Sequence, residues 1–215
     1  MLFLTKKRNK LNYTSFKNRF HQYRIFSVND IRKSFAGFDS RRLVEWQEKG
    51  YIRKVINRWY VFADVQVDDN MMLWIANRIY QPSYISLESA LSYYNLIPEA
   101  VYTTTSLTSN KTISFDTPEG MYSYRHIKPT FFFGYHVIQW EGFPLKMAEL
   151  EKSLLDYLYL NTHIKTSQDL DGLRLNTDNL KEQLDVAKLN DYLILFDSKA
   201  LTARATLLLK YLELC

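Results

Sequence analysis

Cysteine is nearly missing from this chain, whose 215 residues include a single cysteine, Cys215. One cysteine cannot form a disulfide within a chain, and it cannot build a thiolate metal site. Long apolar runs are also missing, since stretches such as residues 71–76 are far shorter than a membrane span requires. The opening segment MLFLTKKRNK becomes charged after a short apolar start, too early for a secretory signal. We therefore expect a cytoplasmic protein that does not enter a membrane.

Residues that carry chemistry are scarce as well. The chain has six glycines and no glycine-rich phosphate-binding loop. Its four histidines, at positions 21, 126, 136 and 163, show no metal-ligand spacing. No glutamate is followed two positions later by lysine, as in the strand motif of metal-dependent nucleases. We predict no catalytic residue, no metal site and no cofactor. The alternative of a nucleic-acid-processing enzyme would require an acidic or metal cluster in a pocket.

Charge is distributed unevenly along the chain. Residues 1–60 contain 15 Lys+Arg against 4 Asp+Glu, whereas residues 61–215 contain 13 against 19. A basic segment can neutralise the phosphates of a nucleic acid, and an acidic segment suits a different partner. For charge alone, a solvated lysine-rich tail is an equally good interpretation. The break in charge leads us to predict two domains, 1–62 and 63–215.

Helix signals are regular in the first of these domains. The pattern predicts helices over residues 9–24, 28–36 and 39–49. Ser27 and Asp30 form a box-like start for the second helix, on whose buried face we place Ile31 and Phe35. Gly37 and Gly50 are the residues at which the second and third helices are expected to end.

Two strands follow the third helix. We predict them over residues 51–56 and 59–62, joined by a tight turn at Asn57-Arg58. Three helices and a two-stranded hairpin, in this order, are typical of a winged helix-turn-helix, whose third helix enters the DNA major groove. The first domain is therefore predicted to bind duplex DNA. A winged helix can also serve as a protein–protein module, but the surplus of positive charge favours DNA.

The third helix has an apolar side and a polar side. We predict that Leu43, Val44 and Trp46 face inward, which leaves the polar side for DNA. An arginine fork can bind guanine or a phosphate through two hydrogen bonds. The alternative for each arginine is a solvated side chain or an ion pair with a neighbouring glutamate. The predicted DNA-binding residues are Lys33, Ser40, Arg41, Arg42, Glu45, Lys54 and Arg58.

The second domain mixes helical and strand patterns. Helices are predicted over residues 69–80, 86–96, 149–161, 177–189 and 198–213, with Ser86 as the cap of the second. Strands are predicted over residues 101–107, 111–117, 120–127, 131–140 and 143–148. The predicted fold class is therefore α+β, with an N-terminal winged helix-turn-helix followed by an α+β domain that contains a small antiparallel sheet.

Five blocks of this second domain carry a family resemblance. They are YISLESAL at 84–91, YTTT at 102–105, GMYSYRHI at 120–127, FGY at 133–135 and EKSLLD at 151–156. In their order and spacing, residues 25–160 resemble the AbiEi antitoxins of type IV (abortive-infection) toxin–antitoxin systems. The hairpin is the wing of such a domain. Family members often carry glycine immediately before the wing tyrosine, which is Tyr60 here, whereas this chain has Trp59 at that position. Contacts of the wing are therefore the weakest part of the comparison.

The resemblance implies a function as well as a fold. It implies that an N-terminal winged helix binds inverted repeats in the promoter and represses its own operon. It implies further that the C-terminal domain counteracts a partner toxin of nucleotidyltransferase type, and it transfers no catalytic residue. The alternative is a free-standing winged-helix regulator without a toxin partner. A toxin-like gene beside this one would favour the antitoxin.

Overall fold

The chain divides into two compact units, Met1–Val67 and Asp68–Cys215. The computed structural model describes residues 11–98 and 101–214. Both units contain helices and strands, so the α+β class predicted from the sequence is confirmed. The domain boundary predicted after residue 62 coincides with the end of the last strand of the first unit. The first unit continues for a few residues beyond that strand, through Val67.

The first unit alternates helices with short strands. Its elements are α1 (Tyr13–Phe20), β1 (Ile25–Ser27), α2 (Val28–Ser34), α3 (Arg41–Glu48), β2 (Ile52–Ile56) and β3 (Trp59–Phe62). The first helix is shorter than the predicted span of 9–24, because a turn of 3-10 helix at His21–Tyr23 follows α1. Residues 9 and 10 of that predicted helix lie outside the described residues.

Strand β1 was not predicted. It pairs antiparallel with β3, so the described part of this unit has a three-stranded sheet in the order β1-β3-β2. All three residues of β1 are buried, so the strand lacks the alternation of exposed and buried residues by which a half-buried strand is recognised. The predicted hairpin of β2 and β3 is present, and Arg58 in its turn has a φ of +70°.

Local sequence signals explain the position of α2. The hydroxyl of Ser27 accepts a hydrogen bond from the backbone N–H of Asp30 at 3.1 Å, and the Asp30 carboxylate accepts one from the N–H of Ser27 at 2.9 Å. This reciprocal capping box satisfies two N–H groups at the start of the helix. The predicted helix start is thus confirmed. Phe35, expected on the buried face, is only half-buried and lies at the end of α2.

Aromatic side chains fill the core of the first unit. Phe16 of α1 has no exposed surface and stacks on Trp46 of α3, with 4.6 Å between ring centroids. Leu43 and Trp46 are buried as predicted, but Val44 is 55% exposed, so its inward prediction was wrong. Leu43 and Trp46, three residues apart, define the buried face. Val44 lies about 100° further round the helix from Leu43 and turns outward.

The second unit has more elements. Its helices are α4 (Asp69–Ile79), α5 (Leu87–Tyr93), α6 (Leu150–Leu160), α7 (Ser167–Asp171), α8 (Thr177–Gln183), α9 (Val186–Phe196) and α10 (Lys199–Tyr211). Its strands are β4 (Ser83–Ile85), β5 (Thr103–Thr108), β6 (Ile113–Thr117), β7 (Gly120–His126), β8 (Tyr135–Trp140) and β9 (Phe143–Ala148).

The sheet of the second unit differs from the predicted small antiparallel sheet. The described strands form one six-stranded sheet in the order β6-β7-β5-β4-β9-β8. Two of its pairs, β5 with β7 and β4 with β9, are parallel, so the sheet is mixed. The prediction was wrong for two reasons: β5 pairs with β7 rather than with its sequence neighbour β6, and the unpredicted strand β4 lies between β5 and β9. Its three residues are all buried and show no alternation.

Two helix predictions also need correction. The helix predicted over 177–189 is interrupted at Leu184, after which Asp185 caps α9 by accepting a hydrogen bond from the N–H of Lys188. Ser86 precedes α5 as predicted, but its side chain makes no capping hydrogen bond. Its hydroxyl donates instead to the carboxylate of Asp156, at 2.8 Å.

Candidate functional site

The third helix is fixed from its buried side. Trp46 has Phe16 stacked against it and Tyr13 edge-on at a centroid distance of 5.7 Å. Leu43, one turn earlier, is 2% exposed. These contacts orient α3 rigidly, because a packed aromatic cluster admits few side-chain rotamers. The opposite side of α3, which begins with Arg41, faces solvent.

Arg41 is held by an acidic neighbour. Its Nη2 lies 2.7 Å from Oδ2 of Asp39, and its Nε donates to the same carboxylate at 3.0 Å. These side-chain hydrogen bonds, together with one from the backbone N–H of Arg41, lower the pKa of Asp39 to about 2. The Arg41 side chain is nevertheless 90% exposed. A phosphate that binds Arg41 must therefore compete with Asp39.

Other predicted residues lie nearby with different surroundings. Arg42 is half-buried and lines a cleft with Asp39 and with Asn12 of the segment before α1. Glu45 forms an ion pair at 2.8 Å with Lys49, the residue that follows the last turn of α3. Ser40 is exposed and precedes α3, and its side chain makes no capping hydrogen bond. The start of α3 therefore presents cationic and hydroxyl groups together.

The hairpin turn brings Arg58 to the second helix. Its guanidinium donates to Oδ1 of Asn29 at 2.6 Å, and its carbonyl accepts a hydrogen bond from the N–H of Val28 at 3.0 Å. Arg58 therefore connects the hairpin turn to the first turn of α2 rather than projecting freely from the tip. Lys54, in the middle of β2, is exposed.

Uncompensated positive charge remains on this unit. Among the described residues of the first unit, four exposed basic side chains form neither an ion pair nor a side-chain hydrogen bond: Arg19, Arg32, Lys33 and Lys54. Arg58 is also exposed, and its guanidinium bonds only to the neutral side chain of Asn29. By contrast, Lys17 is paired with Asp64 at 2.7 Å, and this contact lowers the pKa of Asp64 despite the opposing effect of burial. The four unpaired cations and the paired Arg41 provide electrostatic attraction for a polyanion.

The second unit contains a buried polar network. Lys152 and Asp156 of α6 form an ion pair in which neither side chain is exposed. The Asp156 carboxylate also accepts hydrogen bonds from the hydroxyls of Ser86, at 2.8 Å, and Tyr84, at 3.1 Å. Burial raises the pKa of Asp156 and lowers that of Lys152, while their mutual attraction opposes both shifts. The same burial raises the pKa of Tyr84.

The surroundings of Lys152 are aromatic and tightly packed. Its Nζ lies 4.9 Å from the ring centroid of Phe196 and 5.0 Å from that of Phe133. Gly134 passes so close that a Cβ at this position would lie 2.9 Å from Cγ of Lys152, and its φ of +69° also favours glycine. Such a network, closed to solvent, offers no access to a substrate. It joins α6 to β4, which carries Tyr84, and to α9, which carries Phe196.

Within residues 11–98 and 101–214, no group of three or more His, Cys, Asp or Glu side chains is placed to hold a metal ion. Over the same ranges, no helix combines the length and apolar character needed to cross a membrane.

Sequence reasoning missed several residues of these sites. Asp39 was not predicted as the partner of Arg41, and Asn29 was not predicted as the partner of Arg58. The pair Lys152 and Asp156 could have been recognised, since two opposite charges four residues apart interrupt the leucines of α6. Tyr84 and Ser86 gave no such signal, because their partner lies 70 or more residues away in the sequence.

No protein-family model matches the chain. No curated protein matches it either. Function is therefore inferred from the charges and helices described above and from the sequence blocks that resemble a family.

Proposed function

We propose that the chain is a DNA-binding antitoxin of the AbiEi type, in which the first unit is a winged helix-turn-helix that represses its own operon. The second unit counteracts a nucleotidyltransferase-type toxin. The DNA-binding half of this proposal rests on one observation. Trp46 fixes α3 from within, while Arg41 and Arg42 lie at its solvent-facing start.

The geometry of the first unit supports a groove-binding helix. Helix α3 follows α2 after a six-residue connection, residues 35–40, and continues into the hairpin of β2 and β3. In helix-turn-helix proteins the start of the second helix of this pair reads bases, and flanking cations bind phosphates. Lys33 near the end of α2 and Lys54 on the hairpin are exposed and suited to the second role.

The antitoxin half rests on the resemblance and on the contacts among its blocks. Ser86 of the YISLESAL block bonds to Asp156 of the EKSLLD block, and Gly134 of the FGY block packs on Lys152. The YTTT and GMYSYRHI blocks form neighbouring parallel strands, β5 and β7. The blocks thus contact one another within the folded unit, which supports the proposal of a fold shared with the family.

The first experiment measures binding to DNA. Full-length protein is titrated with a duplex of its own promoter region and with a scrambled duplex, at several salt concentrations. If four to six phosphates are neutralised, log K falls against log salt with a slope of roughly −4 to −5. Arg41→Ala and Arg42→Ala are expected to weaken binding by about 1–3 kcal/mol each at unchanged melting temperature. The matched controls are Lys199→Ala and Lys210→Ala, exposed in the second unit.

A flat salt dependence, or wild-type binding by both arginine variants, would reject the assignment of this surface. If the controls weaken binding equally, general charge rather than α3 is responsible. A loss of sequence preference at one base pair identifies a base-reading arginine, whereas uniform weakening identifies a phosphate contact.

The second experiment separates the two activities in the intact chain. The Arg41→Ala/Arg42→Ala variant is co-expressed with a nucleotidyltransferase-type toxin, which the proposal expects to be encoded beside this gene, and with a reporter driven by the promoter. We expect loss of repression with full rescue from toxicity. Repression by the wild-type chain without any rescue would support the free-standing regulator instead. Simultaneous loss of both activities in a folded variant would contradict the division between units.

A further inference from the structure

The six-stranded sheet of the second unit ends at two strands, β6 and β8. Each pairs with a single neighbour among the described strands, β6 with β7 and β8 with β9. A strand at the edge of a sheet has unpaired N–H and C=O groups along its free side, and a further strand can pair with them. Strand β8 spans six residues, Tyr135–Trp140, which is long enough for such pairing.

The register of β8 fixes which of its backbone groups face the free side. Val137 lies opposite Lys146 of β9. The N–H of Lys146 donates to Oδ1 of Asn77 at 2.8 Å, and its carbonyl accepts from Nδ2 of the same side chain at 3.2 Å. Because Lys146 directs both groups away from β8, Val137 and Lys146 form a non-hydrogen-bonded pair. The N–H and C=O of Val137 therefore point to the free side, and so do those of Tyr135 and Gln139, two residues away.

This free side is open and unprotected. Val137 is 51% exposed, and Gln139 is exposed as well. In the described part of the chain, no hydrogen bond from a turn or loop reaches the backbone of either residue. Strand β8 also contains no Lys, Arg, Asp, Glu or Pro, the residue types that commonly prevent pairing at an edge. The opposite edge, β6, carries the exposed Asp116. Of the two edges, β8 is thus the one suited to a further strand.

A second copy of the same strand fits this edge. In antiparallel pairing about a two-fold axis at Val137, this residue lies opposite itself, and Tyr135 lies opposite Gln139 of the second copy. The three outward-facing residues of each copy then exchange hydrogen bonds, about six in total. His136 lies opposite Ile138 of the second copy, so no two like charges face each other in this register.

We propose that two copies of this chain pair through β8, antiparallel about a two-fold axis at Val137, and so join their two six-stranded sheets into one. The pairing goes beyond the proposed function and does not depend on it, since it involves the second unit alone. It buries little surface besides that of two short strands, and interfaces of such limited area are weak. We therefore expect a dimer that forms reversibly as the protein concentration rises.

Sedimentation velocity on the full-length protein without DNA tests the pairing, over concentrations from about 5 to about 500 µM because the interface is small. Val137→Lys and Val137→Asp each place two like charges opposite each other at the axis, and we expect each to weaken dimerisation by about tenfold. An equimolar mixture of the two variants should recover the dimer, because opposite charges then face each other. The matched control is Ser114→Lys, at an exposed position of β6, which should associate like wild type. Melting is measured on the same samples.

A cross-linking measurement decides if a charged variant melts early. In a Cys215→Ser background, Val137→Cys should form a disulfide-linked dimer on oxidation, since residues directly opposite each other in a hydrogen-bonded pair have Cα atoms about 5.5 Å apart. Ser114→Cys in the same background is the control, and it should stay monomeric.

Three results overturn the pairing. The first is a wild-type protein that stays monomeric at about 500 µM, which leaves the edge to a strand of another protein. The second is a wild-type degree of dimerisation in both charge variants, or equal weakening by the control. The third is a mixture that dimerises no better than its components, or equal cross-linking at positions 137 and 114. None of these results bears on DNA binding by the first unit, which the promoter titration decides separately.

Discussion

Lys152 and Asp156 lie four residues apart on α6 and form an ion pair in which neither side chain has exposed surface. Removing both charges from water costs free energy, which the pair recovers through mutual attraction and through the hydroxyls of Tyr84 and Ser86. The cation also lies among aromatic rings, including that of Phe133. The stability of the protein is therefore sensitive to any substitution that removes only one of these two charges.

We expect Lys152→Met to lower the free energy of unfolding by about 3–5 kcal/mol, because the Asp156 carboxylate is then buried without its cation. The double variant Lys152→Met/Asp156→Leu should recover much of this loss, since the lone charge is removed as well. Urea unfolding, followed by circular dichroism, measures the free energy of unfolding of both variants. The control is Lys181→Met, at an exposed position. Equal midpoints for Lys152→Met and the control would contradict the structural role of the pair.

Trp46→Ala should reduce stability by roughly 3–5 kcal/mol, because it removes a large core side chain and leaves a cavity beside Phe16. DNA binding should fall only where the protein has melted, since Trp46 faces away from the solvent side of α3. Arg42→Ala is the matched variant on the same helix and should show weaker binding at unchanged melting temperature. The prediction fails if Trp46→Ala loses binding at temperatures at which it is fully folded.

Asp39→Asn should strengthen DNA binding. The carboxylate holds the Arg41 guanidinium through hydrogen bonds of 2.7–3.0 Å and places a negative charge at the start of α3. Because the pKa of Asp39 is lowered to about 2, this charge persists throughout the physiological pH range. Its removal frees one cation, so the salt slope should steepen by about one. Weaker binding by Asp39→Asn would instead show that the carboxylate positions Arg41 for DNA.

The ionisation of Glu149 makes the stability of the second unit depend on pH. Burial raises the pKa of Glu149, but the hydroxyl of Tyr192 and the ammonium of Lys188, 2.9 Å away, outweigh burial and leave the pKa below the ordinary value of 4.5. A carboxyl whose pKa is lower in the folded state stabilises the protein above its unfolded-state pKa. This contribution is lost as the pH falls through the folded-state value.

Glu149→Gln should therefore lower the stability by about 1–3 kcal/mol near pH 7, with the difference from wild type shrinking below about pH 4.5. Melting temperatures of both proteins between about pH 3 and pH 7 test this window. The control is Glu182→Gln, at an exposed position on α8. A difference that stays constant down to about pH 3 would show that the ionised carboxylate is not the stabilising species.

Most helix positions in the first unit could be predicted from local signals, because the groups that begin and end a helix are close in sequence. Ser27 and Asp30 cap each other within three residues, and the φ of Gly37, +75°, suits a residue just beyond a helix. The hairpin turn at Asn57-Arg58 is equally local. Val44 was wrongly predicted to face inward because it is apolar and adjacent to Leu43. The helical period places Leu43 and Trp46 on the buried face and turns Val44 toward solvent.

The amino-acid sequence by itself determined the charge difference between the two halves, the α+β class and the order of the main helices, since these depend on composition and on periodicity over neighbouring residues. Tertiary structure alone decided the rest. Strands β1 and β4 form only because partners distant in the chain supply their hydrogen bonds. Likewise Ser86 donates to Asp156 instead of capping α5, because burial demands a partner for that carboxylate.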